Sequence, residues 1–283
     1  MKKWIKSCGA LAIISLVLGL WAASSLADDV CRFTEVVGQV NLMKFGAGEA
    51  VPAKEEMGAA EKDMVNTKVA SRAQLKFIDA SMLTIAPLSD VTIESYMYDA
   101  SKARRHGVID LTQGVVHAVV TNLQKAREPD VLIKTPTAIM GIRGTTAVVL
   151  CGRDEKCQPF EVVHVPEGVV EVYSADPNLK FSLTLGNGEA LGLVAGQIPG
   201  PKDIMMLKGA DAAKLNKLVD TGIPAVVHLK GSNPLAIVNA IIAAGPPTAA
   251  PSKTCPAEEA PPPPAPPPPP EQSNPLGTGG LHS

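Results

Sequence analysis

The residues best suited to chemistry in this sequence are its cysteines, a few histidines and one arginine between glycines. Cys151 and Cys157 lie between two strand-like segments, Thr145–Leu150 and Phe160–Val165. This spacing predicts a loop joining two antiparallel strands and closed by a Cys151–Cys157 disulfide. A metal site is the alternative, but it would require C-x-x-C spacing or clustered histidines, which His164 alone does not provide. We therefore predict a disulfide, and no metal or cofactor.

Arg143 stands between Gly141 and Gly144, where its guanidinium group could bind a carboxylate or phosphate through two parallel hydrogen bonds. The alternative is a turn in which the glycines adopt unusual backbone angles and Arg143 bonds to nearby carbonyls. We favour the turn; the ligand-binding residues are unknown, with Arg143 as a candidate. Asp79 and Ser81 are likewise interpreted as turn formers, because both side chains can bond to local backbone.

Catalytic motifs are absent from the sequence. There is no G-x-S-x-G, H-E-x-x-H or P-loop pattern. The histidines outside the tail occur in unlike contexts, at His106, His117, His164 and His228. These observations predict a protein that is not an enzyme and has no catalytic residues. An envelope hydrolase whose residues are brought together only by folding is the alternative.

The composition excludes some classes of partner. Aromatic residues make up only 4% of the chain, and the formal net charge is −2. Single-stranded nucleic acids are bound by stacking bases on aromatic side chains, and phosphate backbones attract basic surfaces. The sequence therefore predicts no nucleic-acid partner.

The first 27 residues have the three parts of a secretory signal. A short basic start is followed by the apolar run Gly9–Ala23, and small residues then precede Asp28. Cleavage is expected between Ala27 and Asp28, which predicts a periplasmic or secreted protein with no membrane span. An uncleaved anchor is the alternative, although the run is shorter than a spanning helix requires. After cleavage, Cys31 and Cys255 either pair with each other or stay free.

Short strands separated by turn residues dominate the chain from Val36 to about Val194. This pattern predicts a mainly β fold, a compact β-sandwich or roll. A weak repeat places Gly38, Gly114 and Gly168 just before or within valine-containing strands, which suggests a recurring backbone geometry. The predicted strands are Val36–Leu42, Gln74–Ile78, Met82–Ile85, Val91–Tyr96, Val115–Val120, Val131–Lys134, Thr145–Leu150, Val162–Val165, Val169–Tyr173 and Phe181–Leu185.

A small helical extension and a proline-rich tail follow the strands. Ala210–Val219 and Pro234–Ala244 carry helix signals, and the second is so apolar that it must pack on the β-domain or on a partner. The tail is predicted to be a disordered, extended spacer, although such a tract could also dock in an aromatic groove. The predicted organisation is a signal peptide (1–27), a β-domain (28–205), a helical extension (206–245) and the tail (246–283).

Four blocks of this sequence resemble the FecR-like periplasmic domain family. The most specific is Thr135-Pro136-Thr137-Ala138-Ile139-Met140-Gly141-Ile142-Arg143-Gly144-Thr145, which is similar to the family's Thr-Pro-x-Ala and Gly-x-Arg-Gly-Thr signature. The others are Val36–Val40, Ala73–Ser89 and Leu111–Val116. In the second block, Ala80 replaces the usual glycine of Asp-Gly-Ser. The resemblance identifies Asp79, Thr135, Pro136, Gly141, Arg143, Gly144 and Thr145 as motif residues.

Founding members of that family are membrane-spanning iron-uptake regulators, which sense an outer-membrane receptor and control a sigma factor through a cytoplasmic arm. Only Met1–Cys8 precede the apolar run here, so a stand-alone exported domain without that arm is expected. We therefore predict a non-catalytic envelope module that binds or scaffolds an envelope protein or glycan. An accessory sensor in trans-envelope signalling is the alternative.

Overall fold

The computed structural model describes residues 28–123, 129–224, 226–245 and 247. Its strands form because apolar and polar residues alternate over short segments. In Arg72–Phe77, for example, Ala73, Leu75 and Phe77 are buried while the residues between them are not. Such strands have one face toward a core and one toward solvent, which is the pattern of a sandwich.

In the described residues, two sheets, named A and B here, are built from eighteen strands. Sheet A contains β1 (Cys31–Val37), β4 (Gly58–Ala59), β6 (Arg72–Phe77), β7 (Met82–Ile85), β12 (Thr146–Asp154), β13 (Pro159–Glu167), β16 (Glu189–Val194), β17 (Ile204–Met206) and β18 (Val226–Val227). Sheet B contains β2 (Val40–Met43), β3 (Ala50–Pro52), β5 (Met64–Thr67), β8 (Asp90–Asp99), β10 (Val131–Lys134), β11 (Ala138–Ile142), β14 (Val170–Ser174) and β15 (Ser182–Leu185).

One long strand, β9 (Arg104–Val119), belongs to both sheets. Its first half pairs with β8 and β10 in sheet B, and its second half pairs with β7 and β12 in sheet A. The inner faces of both sheets contribute to one apolar cluster, with Phe33, Leu75 and Val149 from sheet A and Ile93 and Met140 from sheet B. The architecture is a β-sandwich.

Glycines mark three corners at which the chain passes from one sheet to the other. Gly38 lies between β1 and β2, Gly114 lies within β9, and Gly168 lies between β13 and β14. Their φ values are +73°, +107° and +97°, in the region that glycine adopts without strain. The predicted single strand Val36–Leu42 is therefore wrong, because the corner at Gly38 divides it into two.

Each of these corners is held by a hydroxyl group from the residue just before a neighbouring strand. The residue after each glycine donates its backbone N–H to that hydroxyl, and a Cβ on the glycine would collide with the same side chain. The three bonds join Gln39 to Ser71 at 2.8 Å, Val115 to Ser89 at 3.0 Å and Val169 to Thr145 at 3.2 Å. The weak glycine repeat in the sequence therefore corresponds to three corners with the same hydrogen-bonded geometry.

The outer face of sheet A is covered by two helices, α1 (Ala210–Thr221) and α2 (Pro234–Ala244). A short 3-10 helix, Pro201–Asp203, precedes them. Asn233 caps α2 by accepting a hydrogen bond from the Ala236 N–H at 3.0 Å. The buried residues of this second core come from both helices and the sheet, and include Val148, Leu150, Phe160, Val162, Leu215, Leu218, Ile237, Val238 and Ile241. Of the two predicted environments for the apolar helix, the β-domain is the one observed.

Both helices and the mainly β fold are as predicted, while several short strands were not predicted. The signal segment and its Ala27 cleavage position lie outside the described residues, as does the proline-rich tail except for Pro247. Asp28, the predicted first residue after cleavage, is exposed.

Candidate functional site

The densest polar cluster in the described part of the chain surrounds the guanidinium group of Arg105. Its side chain is fully buried and forms ion pairs with Asp79 and Asp130, the latter at 2.7 Å. It also donates to the hydroxyls of Ser81 at 3.1 Å and Thr121 at 2.9 Å. One cation therefore joins three segments of chain at the end of the sandwich where β9 begins.

Asp79 is the acceptor at the centre of this cluster. It accepts hydrogen bonds from the Ser81 N–H at 3.1 Å and from the Tyr96 hydroxyl at 2.9 Å. Burial alone would raise the pKa of Asp79, but the hydrogen bonds from Ser81 and Arg105 outweigh burial and lower it. Burial similarly opposes ionisation of Arg105, yet its two carboxylate partners raise its pKa. Asp79 is thus both the predicted turn former and a buried ion-pair partner.

The turn at Ala80 keeps the backbone conformation that a glycine would favour. Ala80 has a φ of +67°, so the alanine is held in the left-handed region. The hydrogen bonds of Asp79 and Ser81 on either side keep it there. The alanine that replaces the usual glycine of the motif thus occupies a backbone conformation that glycine adopts without strain.

The signature segment spans the β10–β11 turn and the crossing from β11 to β12. Thr135 closes the turn, because its hydroxyl donates to the Ala138 carbonyl at 2.9 Å. Pro136 follows it within the turn. The Thr137 N–H donates to the carboxylate of Glu161 at 2.9 Å, so this turn rests on a buried acid of β13. Thr145, at the other end, supplies the hydroxyl of the Gly168 corner.

Gly141, Arg143 and Gly144 have three different roles. Gly144 has a φ of +57° at the sheet crossing, whereas Gly141 lies in β11, where a Cβ would collide with Pro129. The predicted turn with both glycines in unusual conformations is therefore wrong for Gly141. Arg143 is exposed and has an interaction partner. Anion binding by Arg143 stays a prediction.

The structure contradicts the predicted Cys151–Cys157 disulfide. The β12–β13 hairpin extends further than expected, and its register pairs Cys151 with Glu161. Cys151 is free, faces the interior and donates to the Thr112 carbonyl at 3.4 Å. Cys157 lies in the turn beyond β12 and is disulfide-bonded, so its partner is neither Cys151 nor the free, buried Cys31.

The histidines form no joint site. Burial lowers the pKa of His117, and burial also lowers that of His164, whose Nδ1 lies 3.1 Å from the Glu189 carbonyl. His228 pairs with Glu155 at the surface. Within residues 28–123, 129–224, 226–245 and 247, no three His, Cys, Asp or Glu side chains are grouped so that they could hold a metal ion.

One corner of sheet B exposes apolar side chains, and we call it the apolar corner. Met43 and Met64 pair across β2 and β5, and Phe45 follows in the adjacent turn. Phe45 is 76% exposed, the largest fraction among the large hydrophobic side chains that the structure describes. Exposed apolar groups beside a sheet edge are typical of contact surfaces.

Residues 63–171 match the family model described as FecR protein. This part of the chain is therefore similar to FecR proteins. Its match begins before β5, includes the Arg105 cluster and the whole signature segment, and ends in β14. The FecR-like resemblance predicted from the sequence is thus confirmed, and the Asp79, Gly114 and Thr145 interactions all lie inside the matched region.

Solved structures and curated proteins were also compared with the chain. Two crystal structures of a "putative anti-sigma factor" from Parabacteroides distasonis ATCC 8503 are similar to it, each with 12% identity and a TM-score of 0.40. The alignments cover 53% of this chain and 63% and 62% of the neighbours, so the chain spans less than two thirds of their length. No curated protein matched.

The sequence revealed the signature residues but not what they contact. No motif recognised in the sequence contains Arg105, Asp130 or Glu161. These residues are far along the chain from the residues with which they form hydrogen bonds. The one signal was a charged residue at a position that the strand pattern buries, as with Glu161 between Phe160 and Val162.

Proposed function

We propose that this FecR-domain protein is a non-catalytic binding module of the cell envelope that takes part in regulatory signalling. The FecR match over residues 63–171 carries the proposal and supports a role connected with signalling. The polar residues of its motifs, above all Asp79 and Thr145, are used in corner and core contacts within the fold. Binding is therefore assigned to the surface rather than to the motif residues.

The apolar corner is the surface that we assign to the partner. Met43 pairs with Ala50 of β3, an edge strand of sheet B whose three residues are all exposed. Met64 flanks Met43 on the other side of β2. An edge strand offers backbone hydrogen bonds, and the neighbouring apolar side chains supply burial when a partner covers them. The partner class expected from the exported location is an envelope protein or glycan.

Site-specific photocrosslinking in cells tests this assignment. A photoreactive residue at position 45 is expected to give one discrete adduct with an envelope component. The matched control is position 198, where Ile198 is 62% exposed on a loop after β16. Equal adducts from both positions, or none from position 45, would contradict the assigned surface. Sequencing the mature N-terminus checks export, with Asp28 expected as the first residue.

An accessory sensor in trans-envelope signalling is the more specific form of the same proposal. It predicts that deleting the gene alters transcription of envelope genes and that a Phe45→Ser variant reproduces the change. Unchanged transcription after deletion would contradict the sensor hypothesis and leave binding or scaffolding as the proposed function. The hydrolase alternative predicts turnover of ester or cell-wall substrates by the purified mature chain, and we expect none.

A further inference from the structure

Glu161 is a carboxylic acid placed inside the sandwich. It lies on β13 with the parity of Val163 and Val165, whose side chains belong to the core between the sheets. Its neighbours Phe160 and Val162 point the other way, toward the helices. Glu161 has no exposed surface. A charged carboxylate in such a place is strongly disfavoured unless it is paired.

The hydrogen bonds around Glu161 are incomplete. Oε1 accepts the Thr137 N–H at 2.9 Å. Among the described residues, Oε2 has no hydrogen-bond partner, and neither does the hydroxyl oxygen of Thr137. Both of these buried atoms belong to residues already joined by the bond from the Thr137 backbone N–H to Oε1. A proton on Oε2 would remove the buried charge.

The electrostatic surroundings of Glu161 favour its neutral form. Burial raises its pKa to about 7, and hydrogen bonding from the Thr137 N–H opposes burial only in part. The facing residue on β12 is Cys151, whose pKa is itself raised by burial and then by Glu161. Arg153 and Asp110 act on that thiol as well. Within the described residues, no basic side chain forms an ion pair with Glu161.

We propose that Glu161 is a proton-operated latch on the Thr135–Ala138 turn. In its neutral form it holds the turn against the inside of sheet A. In its ionised form it draws water into the interior and loosens the turn. The effect extends beyond the turn, because the Ala175 N–H donates to the Thr137 carbonyl at 3.1 Å. The position of the loop between β14 and β15 therefore also depends on the protonation state of Glu161.

Hydrogen exchange of the Thr137 and Ala175 amides in the mature full chain tests the latch. From about pH 4.5 to 7, protection of both amides, corrected for intrinsic exchange, is expected to fall by up to about tenfold per pH unit and then to level off, because ionisation of Glu161 favours the loosened turn. Glu161→Gln keeps the shape and cannot ionise, so its protection should not change with pH. Glu167→Gln is the matched control, since Glu167 is exposed on the same strand, and it should behave like the wild type.

A direct titration keeps the proposal testable if Glu161→Gln does not fold. The carboxyl carbon of Glu161 in the wild-type protein is expected to titrate near neutrality by NMR, far above the value of roughly 4.3 for exposed glutamates. A midpoint at that ordinary value would overturn the proposal. The same pH-dependent loss of protection in Glu161→Gln as in the wild type would overturn it too.

Discussion

At the scale of single residues, Arg105 shows how a buried charge is tolerated in this protein. Its guanidinium group contacts two carboxylates, two hydroxyls and the Thr121 carbonyl, so most of its hydrogen-bonding capacity is used inside the fold. Removing one partner would leave a buried charge only partly compensated, which costs far more than removing an exposed pair. The carboxylate of Asp79 therefore has a structural role, which is to compensate the buried charge of Arg105.

Replacing Asp79 with asparagine should destabilise the protein by about 3 kcal/mol, because it removes one carboxylate from Arg105. Chemical denaturation measures the change. Asp99→Asn is the matched control, since Asp99 pairs with Lys102 at the surface at 2.9 Å, and little change is expected there. Equal effects of the two substitutions would show that the buried cluster contributes no more than a surface pair.

Thiol labelling distinguishes the cysteines. In the protein purified and unfolded without reductant, a maleimide is expected to label Cys31 and Cys151 but not Cys157, because of these three cysteines Cys157 is the disulfide-bonded one. In the folded protein both free thiols should react slowly, since burial raises the pKa of Cys31 to about 12 and also raises that of Cys151. Peptide mass spectrometry locates the label, and a Cys151–Cys157 peptide would contradict the structure.

At the scale of elements, the three glycine corners allow one continuous chain to build both sheets. The Gly168 corner can be tested by changing it to alanine, which combines an unfavourable φ with a collision against Thr145. A loss of about 2–4 kcal/mol is expected. Gly196→Ala is the matched control, because Gly196 also has a positive φ, of +78°, but faces open space. A smaller loss is expected there, and thermal melting of both variants makes the comparison.

A substitution in the Asp79–Ser81 turn is expected to stabilise the protein rather than destabilise it. Ala80 has a φ of +67°, so Ala80→Gly relieves strain without removing any contact of Asp79 or Ser81. The substitution should stabilise the protein by up to about 1 kcal/mol. If the midpoint of chemical denaturation falls instead, the greater entropy of the unfolded chain outweighs the relief of strain at this position.

The sequence predicted the elements whose pattern is local. Strand Val131–Lys134 and helix Pro234–Ala244 are found where they were expected, because alternation and capping residues lie within them. The strands Ala50–Pro52 and Gly58–Ala59 were not predicted, since they are short and pair only after the chain folds. The partners of Asp79 and Glu161 depend on contacts between distant segments, which a local pattern does not encode.

At the scale of the whole molecule, Glu161 couples stability to pH. Its pKa is raised from 4.5 to about 7, so its stabilising effect is complete below its unfolded value and is lost as pH rises through the folded value. The free energy of unfolding of Glu161→Gln minus that of the wild type should therefore grow from about pH 4.5 to 7 and then level off. Burial of His117 and His164 acts in the opposite direction but is common to both proteins. Denaturation at each pH measures the difference, and a constant difference would contradict it.

The helices that cover sheet A have a consequence for the order in which the chain acquires its structure. Synthesis delivers the N-terminal residues first, and Pro234–Ala244 follows all the strands of the described residues. Until that helix arrives, the outward-facing side chains of β12 and β13, among them Leu150 and Phe160, remain in contact with water. A nascent chain thus passes through a stage in which this apolar face is exposed to solvent. Chaperones bind such surfaces, and a chain truncated before the helix is expected to aggregate through them.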